Sequence, residues 1–454
     1  QGIDLKINVV GLDVSGKARS ALQCIAQAGG GRYFDASSAE ELADSLVQVS
    51  VRSLRLFSLS GDPVSGGESP SEPTKVEPGT YTDESLDGDQ AKYYLVDKPA
   101  KGSISASAVM RPSPGEDIGD ALEVKVTTPD GETDCVEGRD QNNYLLGRSS
   151  IFGAGATYTP FSESLASDEC SAAKQLVVSV GFSGEPTPYS LRVTSYPELE
   201  NLDDLPDAVD TEQPTWERLV PLGGTASQVI GGASFESAPE LEPGTTYSDT
   251  LRPREQLIYK VPVSWGQSPR VTARVATDRT ADELVTRPGV TVQMRAFNPL
   301  GEALETDSDS DALEDTDQYE GGENVTLGVG QPPVRLRNLD SDDEDLQKLS
   351  VDGSYYFSVE MSGLTDRSSE RFQAPVQIAV AVDGEESGAP EYAEAVQGKP
   401  EKKSTDSSKE KSTGSSSAED DSSTPWVPIV VGLGGLLLVG AVVGAFLLGR
   451  SRRT

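Results

Sequence analysis

The chain has 454 residues, 74 Asp and Glu against 38 Lys and Arg, and a formal net charge of −36. That balance excludes nucleic acid and anionic membrane surfaces as partners, because a phosphate backbone is held by Lys and Arg. With no histidine and three cysteines, Ser-His-Asp and Cys-His catalysis, histidine or four-cysteine zinc sites and a disulfide scaffold are excluded as well.

Length alone accommodates about three domains. The chain starts at Gln1 with no basic, apolar signal segment. Its first residues read as the inside of a domain, so we expect a truncated or processed N-terminus. GLDVSGKA, residues 11–18, meets the first seven positions of the phosphate loop G-x-x-x-x-G-K-[ST]. Ala18 has no hydroxyl for magnesium, so the stretch reads instead as a strand-to-helix connection. Gly11 turns the chain there, and Asp13 or Ser15 caps the helix.

The surrounding pattern is strand, helix, strand, helix. LKINVVGL (5–12) is a near-continuous apolar run, as for a strand covered on both faces. Ala18, Ala21, Leu22 and Ile25 recur at helical spacing, and Gly29-Gly30-Gly31 ends that helix. RYFDA is a short strand. Ser37 and Glu40 form a capping box for a last helix whose apolar face carries Leu42, Leu46 and Val49. The alternation predicts a parallel sheet with helices on both faces. Cys24 reads as a buried small apolar residue or as the partner of a cysteine upstream.

GIDLKINVVGL, LQCIAQAGGGRYF and AEEL, in that order, resemble the end of a von Willebrand factor A domain over residues 1–52. The resemblance implies a Rossmann-type fold that binds partners through a Mg²⁺ ion held by D-x-S-x-S after its first strand. None of those positions falls inside the match. Asp13-Val14-Ser15-Gly16-Lys17 opens as D-x-S but ends in Lys17 and follows a late strand. No metal ligand or cofactor is therefore assigned to this chain, and Mg²⁺ is expected only in a complete domain.

The middle of the chain contains an internal repeat. VEPGTYTDESL (76–86) answers LEPGTTYSDTL (241–251), and Gly66-Gly67 answers Gly231-Gly232. Further on, TPDGE with Pro129, Gly131 and Glu132 answers NPLGE with Pro299, Gly301 and Glu302; LVVSVGFSG (176–184) answers YYFSVEMSG (355–363). The growing offset places insertions in the second copy. Each copy reads as short β-rich runs between turn residues: YYLVD, SISASAVM, ALEVKVTTP and LVVSVGF, then LIYKVPVSW, RVTARVAT, VTVQMRAF, YYFSVEM and VQIAVAV. This predicts two β-sandwiches, 66–197 and 231–382, joined by a linker at 198–230. GTYTDESLDGDQAKYYLVDKPAKGSISASAV and TTPDGE resemble bacterial pre-peptidase C-terminal-type sandwiches, which implies a non-catalytic accessory or binding module.

Cys135 and Cys170 lie in the first copy and read as a disulfide; two separate buried thiols are the alternative. Asp307, Asp309 and Asp311 begin like a calcium loop, but Ala312 replaces the required glycine and Gln318 the closing glutamate. That stretch and DSDDED (340–345) read as solvated loops.

The Ser-, Lys- and Glu-rich segment 384–424 reads as a disordered stalk. Residues 426–449 are uncharged and long enough for a transmembrane helix, and Arg450, Arg452 and Arg453 in the tail 450–454 mark the cytoplasmic side. Gly440 and Gly444 are spaced for a weak helix-mediated dimer, although glycine is common in such spans. The expected fold class is thus multidomain: a partial α/β segment, two mainly-β sandwiches, a stalk and a single transmembrane helix. The expected protein is not an enzyme. It is a membrane-anchored, single-pass binding or adhesion protein with its N-terminal part outside, facing an extracellular protein or cell-envelope ligand. The alternative is the accessory region of a surface hydrolase or peptidase whose catalytic domain lies upstream.

Overall fold

A computed structural model describes residues 7–28, 30–36, 57–88, 90–112, 120–141, 150–162, 167–210, 219–252, 255–276, 291–304, 314–318, 324–361 and 374–393. The chain divides into Gln1–Val396 and Gln397–Thr454, and the second unit lies wholly outside the described residues.

Near the N-terminus, β1 (Ile7–Leu12), α1 (Gly16–Ala28) and β2 (Gly30–Ala36) make one β–α–β unit with a two-stranded parallel sheet. The expected Rossmann-type α/β segment is corrected here. Among the described residues this unit has two strands and one crossover helix, not a sheet with helices on both faces. Leu12 and Ile25 are 45% and 52% exposed, and Cys24, read as buried, is an exposed free thiol. The last helix expected, over 37–49, lies outside the described residues. Asp13 and Gly16 take left-handed backbone, with φ of 50° and 57°. Gly11 does not turn the chain. It sits inside β1, where a Cβ would meet the Tyr33 hydroxyl at 2.2 Å.

Most of the described chain is β-sandwich. The first comprises β3 (Asp62–Pro63), β4 (Thr74–Val76), β5 (Gly79–Glu84), β6 (Ala91–Asp97), β7 (Ser103–Met110), β8 (Ala121–Thr127), β9 (Asp134–Gln141), β10 (Phe152–Tyr158), the short helix α2 (Asp168–Ala172), β11 (Gln175–Phe182) and β12 (Pro188–Tyr196). Its sheets run β10-β7-β12-β5-β3 and β4-β6-β11-β8-β9. The second comprises β13 (Ser227–Gln228), β14 (Thr246–Leu251), β15 (Gln256–Val263), β16 (Ser268–Val275), β17 (Thr291–Phe297), β18 (Ala303–Leu304), β19 (Glu314–Gln318), β20 (Val325–Gly330), α3 (Glu344–Gln347), β21 (Gly353–Met361) and β22 (Ala374–Asp383). Its sheets run β13-β14-β22-β16-β20 and β15-β21-β17-β18, with β19 on the free side of β17.

Most strands of the two sandwiches correspond, β4 and β18 being without counterparts, and one polar motif explains the repeated residues. In the first, Asp83 Oδ2 accepts from the Gly66 amide at 2.7 Å and from the Tyr94 hydroxyl at 2.7 Å. In the second, Asp249 Oδ2 accepts from the Gly231 amide at 2.7 Å and from the Tyr259 hydroxyl at 2.9 Å. A Cβ on Gly66 or Gly231 would fall 2.7 Å from Tyr94 or Leu257. The buried tyrosine hydroxyl needs a partner, the carboxylate supplies it, and the glycine lets the three groups close.

Period-2 alternation sets the cores. In β7, Ile104, Ala106, Ala108 and Met110 enter the first core while Ser105 and Ser107 face the other way, yet nearly every residue is buried. In β17, Val292, Met294 and Ala296 enter the second core, and Gln293, Arg295 and Phe297 are buried on the reverse face. The reverse faces are covered because they meet. The outer face of β10-β7-β12 packs on the outer face of β15-β21-β17, with Ile151, Ile258, Phe297 and Ala303 forming a small apolar cluster between them.

Among the described residues no helix is long and apolar enough to cross a membrane. The expected single-pass membrane localisation, with its bilayer partner, is corrected on that finding and is not carried further. The span 426–449 with its Gly440/Gly444 pair, the tail 450–454 and the stalk from 394 onward lie outside the described residues, as does the acidic run 305–313.

Candidate functional site

The seam between the sandwiches is built around the NPLGE turn joining β17 to β18. The Asn298 side chain organises it: Oδ1 accepts from the Leu300 and Glu302 amides at 2.9 and 3.0 Å, and the Gly301 amide donates to Asn298 O at 2.9 Å. Gly301 has a φ of 88°, a conformation glycine takes at no steric cost. The counterpart TPDGE turn of the first sandwich leaves Glu132 exposed. The NPLGE turn instead presses onto the first sandwich. Ser107 Oγ donates to Leu300 O at 2.9 Å, and Arg192 Nη1 donates to Pro299 O at 3.0 Å. Gly153 and Gly155 of β10 make room: a Cβ would fall 1.8 Å from Gly301 O at Gly153 and 1.9 Å from Glu302 Oε1 at Gly155.

Glu302 is consequently 4% exposed. Its Oε2 accepts from Asn298 Nδ2 at 2.6 Å. Its Oε1 is buried and has no hydrogen-bond partner. Burial pushes the carboxyl up to about 7, against smaller opposing effects of the Asn298 hydrogen bond and the Lys348 charge.

Beside this turn the seam opens into a cavity of about 230 Å³. One wall carries Tyr196 and Tyr392, stacked with ring centroids 5.5 Å apart and planes 27° apart. Trp265 and Phe161 add apolar surface, Ser103, Ser105 and Thr157 add hydroxyls from β7 and β10, and the carboxyls of exposed Asp352 and buried Glu302 complete the lining. Among the described residues no Lys or Arg lines the cavity. Burial raises the Asp352 carboxyl and the Tyr196 and Tyr392 hydroxyls above their ordinary values, so both phenols stay neutral donors. Aromatic surface with a few convergent polar groups is the common make-up of a small-ligand site. The volume is below the roughly 300–1,000 Å³ of drug-sized pockets, which fits a ligand of single-ring size.

At the opposite end of the seam lies a buried ionic group. Arg295 Nη2 donates to Asp140 Oδ1 at 2.8 Å, and Arg295 Nη1 donates to Ile151 O at 3.0 Å. Ser150 Oγ donates to Glu360 Oε2, and Arg111 Nη2 donates to Gln256 Oε1, each at 2.5 Å. Every one of these contacts crosses from one sandwich to the other. Arg111 Nε, Gln256 Nε2 and Glu360 Oε1 are also buried here without a hydrogen-bond partner.

Cys135 of β9 and Cys170 of α2 form a disulfide, and neither cysteine lines the cavity. Acidic residues 340–345 sit around α3, where Asp343 caps the helix by accepting from the Asp345 and Leu346 amides. Among the described residues no group of three metal-ligating side chains comes together, and no step is routed through a metal. None of the cleft residues was singled out from the sequence as functional. Glu302 and Pro299 stood out only as repeat partners of Glu132 and Pro129. The contrast between a buried and an exposed copy of the same turn is the signal that finds them.

No protein-family model matches the chain, and no curated protein matches it. Among solved structures, a three-domain piece of a Clostridium perfringens protein, an M60 catalytic domain with two CBM51 domains, aligns at 10% identity. It covers 64% of this chain and 34% of that one, with a TM-score of 0.17. The chain therefore spans about a third of that structure's length. The tandem CBM51 modules of a family 98 glycoside hydrolase from Streptococcus pneumoniae align at 12% identity, covering 66% and 84%, with a TM-score of 0.17. The VP2 subviral particle of infectious bursal disease virus aligns at 9% identity, covering 76% and 80%, with a TM-score of 0.22. At these scores the likeness carries no argument, and a functional reading rests on the cleft.

Proposed function

We propose that the chain is a non-catalytic binding module whose seam cleft takes a single-ring, hydroxylated ligand of the saccharide class. The observation that carries this is the stacked Tyr196–Tyr392 pair lining one cavity with the carboxyls of Glu302 and Asp352. An aromatic face receives the C–H face of a sugar ring, and Glu302, Asp352 and the serine and threonine hydroxyls receive its hydroxyl groups. The net charge of −36 argues for a neutral or cationic ligand over an anionic one. The Cys135–Cys170 disulfide supports an oxidising compartment, where saccharides of cell surfaces are met. The reading serves a free-standing binder and the accessory region of a larger hydrolase alike.

Calorimetric titration of the chain with a panel of neutral, amino- and acidic monosaccharides tests it. The expected result is saturable binding of at least one sugar. Tyr392→Ala should weaken it about tenfold, equivalent to about 1.4 kcal/mol. Absence of saturable binding across the panel would overturn the reading.

A further inference from the structure

We infer that the seam cleft selects a sugar bearing a free, protonated amine over its neutral counterpart, with the Glu302 carboxyl as the acceptor for the ammonium group; this rests on the saccharide-binding reading above. The first support is an inventory of charge. The cleft has two carboxyls, Glu302 and Asp352, and among the described residues no lining Lys or Arg. The second is an unmet hydrogen bond. Glu302 Oε1 is a buried acceptor without a donor, and a buried carboxylate left so is costly. A ligand hydroxyl would satisfy the hydrogen bond alone, whereas an ammonium would satisfy the bond and compensate the charge. The third is the aromatic wall of Tyr196, Tyr392 and Trp265, whose ring faces attract cations.

The groups facing Glu302 agree in sign. Asn298 Nδ2 holds Oε2 from the same turn. Tyr196 of the first sandwich and Tyr355 of β21 feel the Glu302 charge, and Asp352 acts on both tyrosines in the same direction. Lys348 is the one cation acting on Glu302, and its Nζ is engaged by Asp345 Oδ1 at 2.9 Å. Burial raises the carboxyl to about 7 even against the opposing effects of Asn298 and Lys348, so an incoming ammonium expels a proton when it binds near neutral pH.

The test is calorimetry on the full chain with D-glucosamine, D-glucose and N-acetyl-D-glucosamine at pH 7 and pH 5. Glucosamine should bind at least about tenfold more tightly than glucose at pH 7, a difference of about 1.4 kcal/mol. The N-acetyl sugar, which has the nitrogen without the charge, should behave like glucose. The glucosamine preference should shrink at pH 5, where Glu302 is neutral, and should be absent in Glu302→Gln. Asp352→Asn, at an exposed position, should reduce the preference severalfold and serves as the second variant if Glu302→Gln fails to fold by circular dichroism. Equal binding of glucosamine and glucose, or a preference that survives in both variants, would overturn the inference while leaving saccharide binding intact. No binding of any of the three, alongside binding of another neutral sugar, would overturn it too. No binding of any sugar would remove both readings.

Discussion

Arg295 and Asp140 meet across the seam, Nη2 to Oδ1 at 2.8 Å, with both side chains withdrawn from solvent. Arg295 belongs to β17 of the second sandwich and Asp140 to β9 of the first. Asp140 Oδ2 also accepts from the Gly153 amide at 2.7 Å, so the carboxylate positions β10 directly under the NPLGE turn. The Arg295 guanidinium lies over Phe297 with its carbon 5.2 Å from the ring centroid. The ionic end of the seam thus fixes the strand that floors the cleft at the other end.

Breaking this pair from one side leaves a buried charge uncompensated, which costs about 3–5 kcal/mol. Asp140→Ala should therefore destabilise the chain by about that amount in urea unfolding. The double variant Asp140→Leu with Arg295→Met should recover most of the loss, since an apolar pair of similar volume is often neutral or better. A single-variant cost below about 1 kcal/mol, typical of exposed pairs, would show that water reaches the pair.

The raised carboxyl of Glu302 gives stability a definite pH slope. The ordinary value is 4.5 and the folded value about 7, so between these the folded chain binds more protons than the unfolded one. Stability from this group is full below pH 4.5 and is lost as pH rises to about 7. The total is roughly 3 kcal/mol, at 1.36 kcal/mol per pH unit. Glu360, also raised by burial, acts in the same direction. Glu302→Gln should flatten the slope in part. Urea midpoints measured between pH 4 and pH 8 check this, and an unchanged slope in the variant would show that the carboxyl is solvated.

The two sandwiches were legible in the sequence because their signals are local. YYLVD, SISASAVM and LVVSVGF alternate, and the EPGT and GG matches mark the Asp–Tyr–Gly motif shared by both copies. PYSLRVTSY alternates as clearly, Tyr189, Leu191 and Val193 being its buried face, yet is not among the runs read as strands, whereas FGAGATY and DCVEGRDQ carry no comparable strand signal. In FGAGATY the glycines that look like loop residues are the two over which the NPLGE turn lies, and that requirement comes from a segment well over a hundred residues away. The seam was written in the sequence as differences between the repeats. Lys125, Thr127, Val177 and Gly181 on the outer face of the first copy correspond to Arg295, Phe297, Tyr356 and Glu360 in the second. Only the pairing of β8 with β11 and of β17 with β21 shows that those positions share one face, so their common purpose could not be read without the structure. The N-terminal β–α–β pattern was read correctly as local elements but extended into a doubly covered sheet, whereas the described residues there hold two strands and one helix.

The close approach at Gly153 is a sharper test of the seam than a change of charge. A methyl group there would have to displace the Gly301 carbonyl, which stands 1.8 Å from the Cβ position, and neither atom is on a flexible side chain. Gly153→Ala should cost about 1–3 kcal/mol, as overpacking does, and should abolish sugar binding by lifting the NPLGE turn. Gly131→Ala, in the exposed counterpart turn, meets open space but has a φ of 72°; it should cost about 1 kcal/mol and leave binding intact. Equal effects of the two on binding would show that the seam does not hold the cleft.

The Cys135–Cys170 disulfide lies within the first sandwich. It ties α2 to the edge strand β9, and α2 is otherwise a single turn capped by Ser167, whose Oγ accepts from the Cys170 amide at 3.0 Å. The residues joined are 35 apart, and closing a loop of that length removes about 3–4 kcal/mol of unfolded-state entropy on the chain-entropy model. The double variant Cys135→Ala with Cys170→Ala should lose about that much in urea unfolding, and wild-type protein unfolded in reductant should match it. Because β9 also carries Asp140, the loosened edge should weaken the Arg295 pair as well. Combined with Asp140→Ala, the total loss should therefore fall short of the sum of the two separate costs, since residues in one network couple. Strict additivity, within about 0.5 kcal/mol, would show that the bridge and the ionic seam stabilise the chain independently.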